Sequence, residues 1–326
     1  MNQDYIQPNN WSIIEEGFDA DRVKSSESLF SIGNGAMGQR ANFEEQYSGP
    51  TFQGSYIAGV YYPDKTRAGW WKNGYPEYFA KVLNAPSWIG INVTINGEAL
   101  DLFKAKRVDH FRRELNMKEG WLSRRFEVTL QNDLKVEVNI VRFLSLDLDE
   151  VGAIKFNIKP LNGSAAIQFQ PYIDSGITNE DSNWDDKFWN TTNIEVINDQ
   201  AFIEAHTMKT NFHTCTFMQS HAFINDEKQD ITPEATSTEH TITFSYNVNV
   251  EQNQTASLVK FGGYTVDRYH EKAKLIDAAK TALSKANTKG FDALLEDQKQ
   301  FELLHLKLQL LRSFHNSLNL QLQLVQ

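Results

Sequence analysis

Between residues 121 and 141 the chain reads Trp121-Leu122-Ser123-Arg124-Arg125-Phe126-Glu127-Val128-Thr129-Leu130, then Gln131-Asn132-Asp133, then Leu134-Lys135-Val136-Glu137-Val138-Asn139-Ile140-Val141. Apolar and polar residues alternate in the last segment, so that Val136, Val138 and Ile140 share one face of an extended chain. Two such segments joined by a short polar turn are typical of antiparallel neighbouring strands.

The same pattern extends over about residues 85–262. The segment Ile89–Ile95 runs into Asn96-Gly97, a pair that favours a two-residue hairpin turn. Further strands are predicted over residues 151–158, 165–173, 193–197, 201–206, 212–223, 240–250 and 256–261. So many short strands with little helix between them predict a mainly β fold, a large antiparallel β-sandwich.

The pattern changes after Asp267. Ala, Lys, Leu and Asp recur at helical spacing up to about Glu302, and the segment Asn287–Gly290 divides this stretch into two helices. We therefore expect an N-terminal β-sandwich domain over residues 1–265, a helical linker over 266–302 and a separate tail over 303–326.

The tail has an unusual composition. It contains no acidic residue, and Leu and Gln dominate it. One interpretation is an amphipathic helix, since Leu303, Leu304, Leu308 and Leu311 fall near helical spacing. The favoured one is an aberrant, out-of-frame segment produced by a frameshift, because the period of the leucines changes within a few residues.

Composition limits the classes of function. The 326 residues are 40% hydrophobic and 12% aromatic, enough for a sizeable core. The net charge of −10 without a long basic stripe argues against nucleic-acid binding.

No apolar run approaches the ~20 residues that span a bilayer, and Met1–Tyr5 has no signal-peptide character. These two features predict a cytoplasmic protein that is not embedded in a membrane. A single cysteine, Cys215, excludes an internal disulfide.

The most informative segment is Glu27–Glu45, which contains Gly33-Asn34-Gly35 and Gly38. Glycines at this spacing also occur in phosphate-binding loops, but no strand–loop–helix unit follows here. A tight turn between two strands, in which glycine supplies a positive φ, is the better prediction.

Taken whole, the segment Glu27–Glu45 resembles the N-terminal signature of glycoside hydrolase family 65, the maltose, kojibiose and trehalose phosphorylases. Trp11–Asp19, Gly54–Tyr61 and Leu83–Ile89 are similar to other motifs of that family and occur in the same order. The resemblance extends over roughly residues 11–300.

The resemblance implies a super-sandwich of the galactose-mutarotase-like type, linker helices, an (α/α)6 catalytic barrel and a small C-terminal β-domain. This sequence stops at about the linker, so we expect the barrel to be absent. The resemblance also implies a homodimer that uses no cofactor and takes inorganic phosphate as co-substrate.

The resemblance further implies inverting cleavage of an α-glucoside, in which a glutamic acid protonates the glycosidic oxygen and phosphate attacks the anomeric carbon. In the family that glutamate lies in the barrel, in a Trp-Asp-x-Glu context. Trp184-Asp185-Asp186-Lys187 has lysine where the acid belongs, so we assign no catalytic residue.

Carboxylate chemistry within the predicted sandwich has two candidate locations. Glu44 and Glu45 are adjacent and, if extended, point to opposite faces and cannot flank one bond. Glu180, Asp181, Asp185 and Asp186 form an acidic loop with Trp184, Phe188 and Trp189, a composition that suits sugar contact. The favoured alternative is a surface loop whose aromatic residues cover the barrel.

The aromatic segment Trp70–Phe79 has the same two interpretations, a sugar platform or a docking surface for the barrel, and docking is favoured. The candidate substrate-binding residues are Trp70, Trp71, Asn73, Tyr75, Asp181, Trp184 and Asp185. No metal site is predicted: the histidines show no close pairing of metal-ligand type, and His206, His213 and Cys215 alone do not supply the converging ligands that zinc needs.

Three hypotheses for function follow. The first is the N-terminal part of a cytoplasmic disaccharide phosphorylase, with maltose preferred over kojibiose and trehalose, which is inactive by itself. The second is a carbohydrate-binding or docking β-sandwich module without catalysis. The third is an inactive remnant of a disrupted gene.

Overall fold

The computed structural model describes residues 5–66, 73–180 and 187–302. The strands are, in chain order, β1 (Ile6–Pro8), β2 (Ser12–Glu16), β3 (Ile32–Gly33), β4 (Met37–Gln39), β5 (Ser55–Ile57), β6 (Tyr61–Lys65), β7 (Tyr78–Val82), β8 (Ile91–Ile95), β9 (Glu98–Ala99), β10 (Arg107–Asn116), β11 (Trp121–Thr129), β12 (Lys135–Leu144), β13 (Val151–Pro160), β14 (Ala165–Asp174), β15 (Trp189–Ile197), β16 (Gln200–Thr207), β17 (His213–Ile224), β18 (Glu227–Lys228), β19 (Glu234–Ser237), β20 (Thr241–Val250) and β21 (Ala256–Val266). The helices are α1 (Val23–Leu29), α2 (Leu275–Lys289) and a helical segment over residues 291–302, with short 3-10 turns at Ala20–Arg22 and Lys272–Lys274.

Two antiparallel sheets form the sandwich. The larger has the spatial order β1-β2-β10-β11-β12-β13-β21-β17-β16-β15, with β18 paired to β17, and the smaller has the order β19-β20-β14-β8-β9. Strands β14 and β20 of the smaller sheet lie against β16, β17 and β21 of the larger. This arrangement confirms the predicted mainly β sandwich.

The core between the sheets follows from the alternation seen in the sequence. Val136, Val138 and Ile140 point inward from β12 and are fully buried, as predicted. They pack in one cluster with inward residues of the smaller sheet, such as Ile167 and Phe169 of β14.

A helix covers part of the outer face of the larger sheet. Leu275, Ala279 and Leu283 of α2 pack in one apolar cluster with Phe217 of β17 and Phe261 of β21. Strand β21 is therefore buried on both faces, and all 11 of its residues are buried. Burial on two faces explains why this strand lacks the period of two.

The bounds predicted for the last strand, residues 256–261, end too early. Strand β21 continues to Val266 through Gly262 and Gly263. Gly262 has a close neighbour that excludes a side chain. A Cβ added at Gly262 would lie 2.9 Å from Trp88, and one at Gly152 of the adjacent β13 would lie 2.3 Å from it. The indole therefore requires bare backbone on both strands.

The predicted turns and helix break are confirmed. Asn96 and Gly97 have φ values of 50° and 81° between β8 and β9. Gly35 has a φ of 90° in the turn between the paired strands β3 and β4. Gly290, with a φ of 77°, ends α2 before the helical residues 291–302. The tail, residues 303–326, lies outside the described residues.

Among the described residues, no helix has the length and apolar character needed to cross a membrane.

Candidate functional site

The two aromatic segments predicted to contact sugar are partly described. Asn73 and Tyr75 are exposed, Tyr75 by 62%. The other candidates, Trp70, Trp71, Asp181, Trp184 and Asp185, lie outside the described residues. The described residues on either side of these two segments make defined contacts.

Strands β6 and β7 form a two-stranded ribbon that flanks the first segment. One face exposes Tyr61, Tyr78 and Val82, with Tyr61 directly opposite Val82. On the other face the Lys81 ammonium lies 3.1 Å from the Asp64 carboxylate, and both side chains are almost completely buried. The ribbon thus has an inner face with a buried ion pair and an outer face rich in apolar side chains.

Asn84 and Asn179 join the ends of the two segments. The Asn84 backbone N–H donates to the Asn179 side-chain oxygen at 2.9 Å, and the Asn179 amide donates to the Val82 carbonyl at 3.1 Å. The Asn84 amide also donates to the Thr178 carbonyl at 3.2 Å. These bonds bring the end of β7 beside the start of the acidic loop, although the two are far apart in the sequence.

The expectation that Phe188 and Trp189 lie on an outward-facing loop was wrong. Phe188 is 2% exposed and packs edge-on against Tyr62 with ring centroids 4.5 Å apart. Trp189 begins β15, is 7% exposed and donates from Nε1 to the Asn84 carbonyl at 2.8 Å. The adjacent acidic residues suggested an exposed loop, but these two side chains belong to the core.

Glu44 and Glu45 do not form the extended chain in which they would point to opposite faces. They lie in a bend and not in an extended strand, and both bind the Arg124 guanidinium. Glu44 is 2.8 Å from Arg124 and 2.7 Å from Arg142. The two carboxylates therefore share Arg124 of β11, and Glu44 also binds Arg142 of β12.

The electrostatics of Glu44 do not suit a general acid. Burial acts to raise its pKa, but the nearby charges of Arg142 and Arg124 outweigh burial and hold the pKa below its usual value. A carboxyl group that protonates a glycosidic oxygen needs a raised pKa. Glu44 is thus a structural anion.

The charged cluster extends along the signature segment. Arg113 lies 3.4 Å from Glu15, whose carboxylate also accepts from Ser26 at 2.8 Å. Glu27 accepts from the Phe52 backbone N–H at 2.7 Å. All of these charged side chains are buried. The cluster fastens helix α1 and the segment before β5 to the larger sheet.

Asn34 fixes the turn of the signature segment. Its side-chain oxygen accepts from the Ala36 and Met37 N–H groups, and its amide donates to the Ser145 and Asp149 carbonyls, both at 2.8 Å. The β3–β4 turn is thereby joined to the turn between β12 and β13.

The His270–Glu150 pair lies next to that turn. His270, just after β21, is hydrogen-bonded to Glu150. Burial raises the pKa of Glu150, although the His270 hydrogen bond acts in the opposite direction. Sequence reasoning missed this pair, because no local pattern relates residues 150 and 270.

The structure brings two of the histidines together. His206 and His213 are cross-strand partners on β16 and β17, with ring centroids 5.1 Å apart. Burial, followed by the nearby Lys272 and His206, lowers the pKa of His213. In the described part of the chain, no three His, Cys, Asp or Glu side chains are grouped so that they could hold a metal ion.

The fold and these contacts define a class of protein, an antiparallel β-sandwich with helical segments packed on its larger sheet. The chain belongs to glycosyl hydrolase family 65: residues 13–301 match the N-terminal domain of that family.

Several curated relatives are disaccharide phosphorylases. The chain is 38% identical over 292 residues to maltose phosphorylase of Bacillus subtilis (strain 168), which covers 90% of this chain and 38% of the relative. It is 28% identical over 310 residues to the α,α-trehalose phosphorylase of Thermoanaerobacter brockii, covering 90% of this chain and 39% of the relative. The chain therefore spans less than two-fifths of the length of either.

A solved structure shows the same fold. It is described as a "Putative kojibiose phosphorylase from human microbiome" and superposes with a TM-score of 0.79 at 24% identity, covering 91% of this chain and 38% of that one.

Proposed function

We propose that this chain supplies the N-terminal β-sandwich, residues 1–265, and the helical linker, residues 266–302, of an inverting disaccharide phosphorylase. The observation that carries the proposal is the match of residues 13–301 to the family 65 N-terminal domain, with phosphorylases among the relatives. The reaction is phosphorolysis of an α-glucoside by inorganic phosphate.

Maltose is the proposed substrate, with β-glucose 1-phosphate and glucose as products. Identity to the maltose phosphorylase, 38%, exceeds that to the trehalose phosphorylase, 28%, and to the kojibiose phosphorylase of Halothermothrix orenii, 23%. The proposal includes a cytoplasmic location and a homodimer of the complete enzyme.

By itself, the 326-residue chain is proposed to be inactive. An inverting phosphorylase needs a carboxylic acid beside the glycosidic oxygen and a phosphate pocket on the opposite face of the sugar. The buried carboxylates of the signature segment are bound by arginines, and the lowered pKa of Glu44 is the opposite of what an acid requires.

A direct assay tests both statements. The purified 326-residue chain, and a polypeptide extended by the barrel-encoding DNA downstream of the Glu302 codon, are each incubated with phosphate and maltose, kojibiose or trehalose. We expect glucose 1-phosphate only from the extended polypeptide, and from maltose. Glucose 1-phosphate released by the 326-residue chain would disprove its inactivity. Glucose 1-phosphate released from kojibiose or trehalose, and not from maltose, would show that maltose is not the substrate.

The competing function is a carbohydrate-binding or docking module without catalysis. The observation in its favour is the exposed apolar face of the β6–β7 ribbon next to Asn73 and Tyr75. The competing function would be supported by an extended polypeptide in which the β6–β7 ribbon face contacts the added domain, but which releases no glucose 1-phosphate from any of the three disaccharides.

A further inference from the structure

A polar groove crosses the outer face of the larger sheet beyond the end of α2. Asn139 of β12 lies opposite Asn157 of β13, which lies opposite Ser257 of β21, which lies opposite Phe223 of β17. Three spacings between neighbouring strands of about 4.8 Å make this row about 14 Å long.

Two cavities form the groove. One, of about 450 Å³, lies over Asn139, Asn157 and Ser257, and the other, of about 490 Å³, lies over Phe223 and reaches Phe291. Lys155 and Asp226, which are 3.4 Å apart, line both cavities. The amide end of the groove is therefore continuous with an aromatic end.

The two asparagines carry unused hydrogen-bonding capacity. Both side chains are half-buried, and neither amide makes a hydrogen bond to any described residue. Asparagine is depleted in strands, where β-branched residues pack better. Local residue choices that oppose the fold are expected mainly at functional sites. Two facing asparagines in the middle of a sheet therefore indicate a binding surface.

His221 adds a polar group at the aromatic end. The Asn287 amide donates to Gln219 and to the Leu283 carbonyl, so its oxygen faces His221 Nε2 at 2.6 Å. That oxygen can only accept, so Nε2 carries the proton, and Nδ1 of the neutral ring is left as an acceptor.

We propose that this groove binds a neutral oligosaccharide of two or three hexose units. Sugar hydroxyls both donate and accept, as do the asparagine amides and Ser257. Phe223, which is half-buried, offers apolar surface to the C–H face of a pyranose ring at the end of the groove that Phe291 also lines. Lys155 is paired with Asp226 at 3.4 Å, and Glu137 is paired with Arg125 at 2.8 Å. Because these charges are compensated within the protein, the lining favours a neutral ligand over an anion.

The nature of the groove does not depend on the proposed function, but the choice of glucosides as probes does. Glucose, maltose and maltotriose are titrated into the 326-residue chain by calorimetry. We expect saturable binding that is at least severalfold tighter for maltotriose than for glucose, because the longer sugar spans both cavities.

Variants locate the site. Replacing Asn139 and Asn157 together by alanine should weaken maltotriose binding at least tenfold, and Phe223→Leu should weaken it as well. The matched control replaces Asn247 and Asn249, which are exposed on β20 of the smaller sheet, and should leave the affinity unchanged. Far-UV circular dichroism and thermal midpoints establish that each variant is folded.

The absence of saturable binding at tens of millimolar sugar would overturn the proposal, as would unchanged affinity in the folded double variant. Neither result bears on phosphorolysis, which is measured on the extended polypeptide. An active extended enzyme with no binding in the groove would leave the proposed function standing and remove only this site.

Discussion

Arg124 is the residue on which the signature segment depends. Its guanidinium binds both Glu44 and Glu45 and lies 4.0 Å from the centre of the Phe43 ring. A planar guanidinium presents a fixed fork of N–H donors at its edge and can stack on an aromatic ring through its face, a geometry that suits two carboxylates and an aromatic neighbour at once. Because the whole group is buried, each charge depends on its partners to compensate for the loss of water.

Removing one buried anion should therefore destabilise the fold strongly. Glu44→Gln leaves Arg142 and part of Arg124 without a counter-charge, and we expect a loss of about 3–5 kcal/mol in the free energy of unfolding, measured with urea at pH 7. Glu16→Gln is the matched control, since Glu16 and its partner Arg112 are 43% and 40% exposed and such pairs contribute about 0–1 kcal/mol.

The same variant has a defined pH dependence. The folded-state pKa of Glu44 is below its unfolded value, so its contribution is complete above the ordinary glutamate pKa of about 4.3 and is lost as the pH falls through the folded value. The stability difference between wild type and Glu44→Gln should thus be constant near neutrality and shrink in acid. A difference that grew on acidification would contradict this assignment.

At the scale of the elements, strands β13 and β21 are shaped by one indole. Trp88 is 1% exposed and lies over Gly152 and Gly262, where any side chain would collide with it. Both glycines sit in paired strands, opposite each other in register. Here the packing of the sandwich, and not the local turn preference of glycine, decides that the strands continue.

Gly152→Ala should show this constraint. The added Cβ would lie 2.3 Å from Trp88 Cη2, and we expect a destabilisation of about 1–3 kcal/mol in urea unfolding, typical of an overpacked core. In a Trp88→Phe background the indole atoms Cη2 and Cζ2, which are closest to the added Cβ, are gone, while Leu144 Cδ2 stays at 3.0 Å. Gly152→Ala should therefore lose most of its effect.

Gly163→Ala is the matched control, because a Cβ there meets only Leu134, at 3.8 Å. Equal and additive losses for Gly152→Ala in both backgrounds would show that the indole is not the cause.

At the scale of the whole molecule, the described surface has one apolar ribbon face that stands out. Tyr61, Tyr78 and Val82 are 45%, 50% and 61% exposed on the β6–β7 pair. Contiguous exposed apolar surface marks interaction sites. The interpretation of the neighbouring segment Trp70–Phe79 as a docking surface predicts the same use for this face.

The isolated chain should consequently self-associate through the ribbon. Sedimentation velocity at tens of micromolar should show species larger than a monomer, and replacing Tyr78 and Val82 together by lysine should shift the population to monomer. Val196→Lys, at a 36% exposed valine of β15, should not. A wild-type chain that is already monodisperse and monomeric would contradict the docking role of this face.

The sequence alone determined the features that depend on neighbouring residues. The alternation of Val136, Val138 and Ile140 identified the inward face of β12, Asn96-Gly97 identified a hairpin turn, and Asn287–Gly290 identified the break between two helices. Each follows from local geometry: the period of the chain, a positive φ or the end of a helix.

Only the tertiary structure decided which residues meet. The sequence did not predict four such features. They are the arginine shared by Glu44 and Glu45, the His206–His213 pair, the burial of Phe188 and Trp189, and the Asn139–Asn157–Ser257 row. Of the candidate site, Asn73 and Tyr75 are exposed as a contact surface requires, whereas the joining of its two segments through Asn84 and Asn179 left no local signal. The physical reason is that a period of two shows which side of a strand is buried but not which distant strand lies beside it, and that pairing is fixed by the packing of the two sheets.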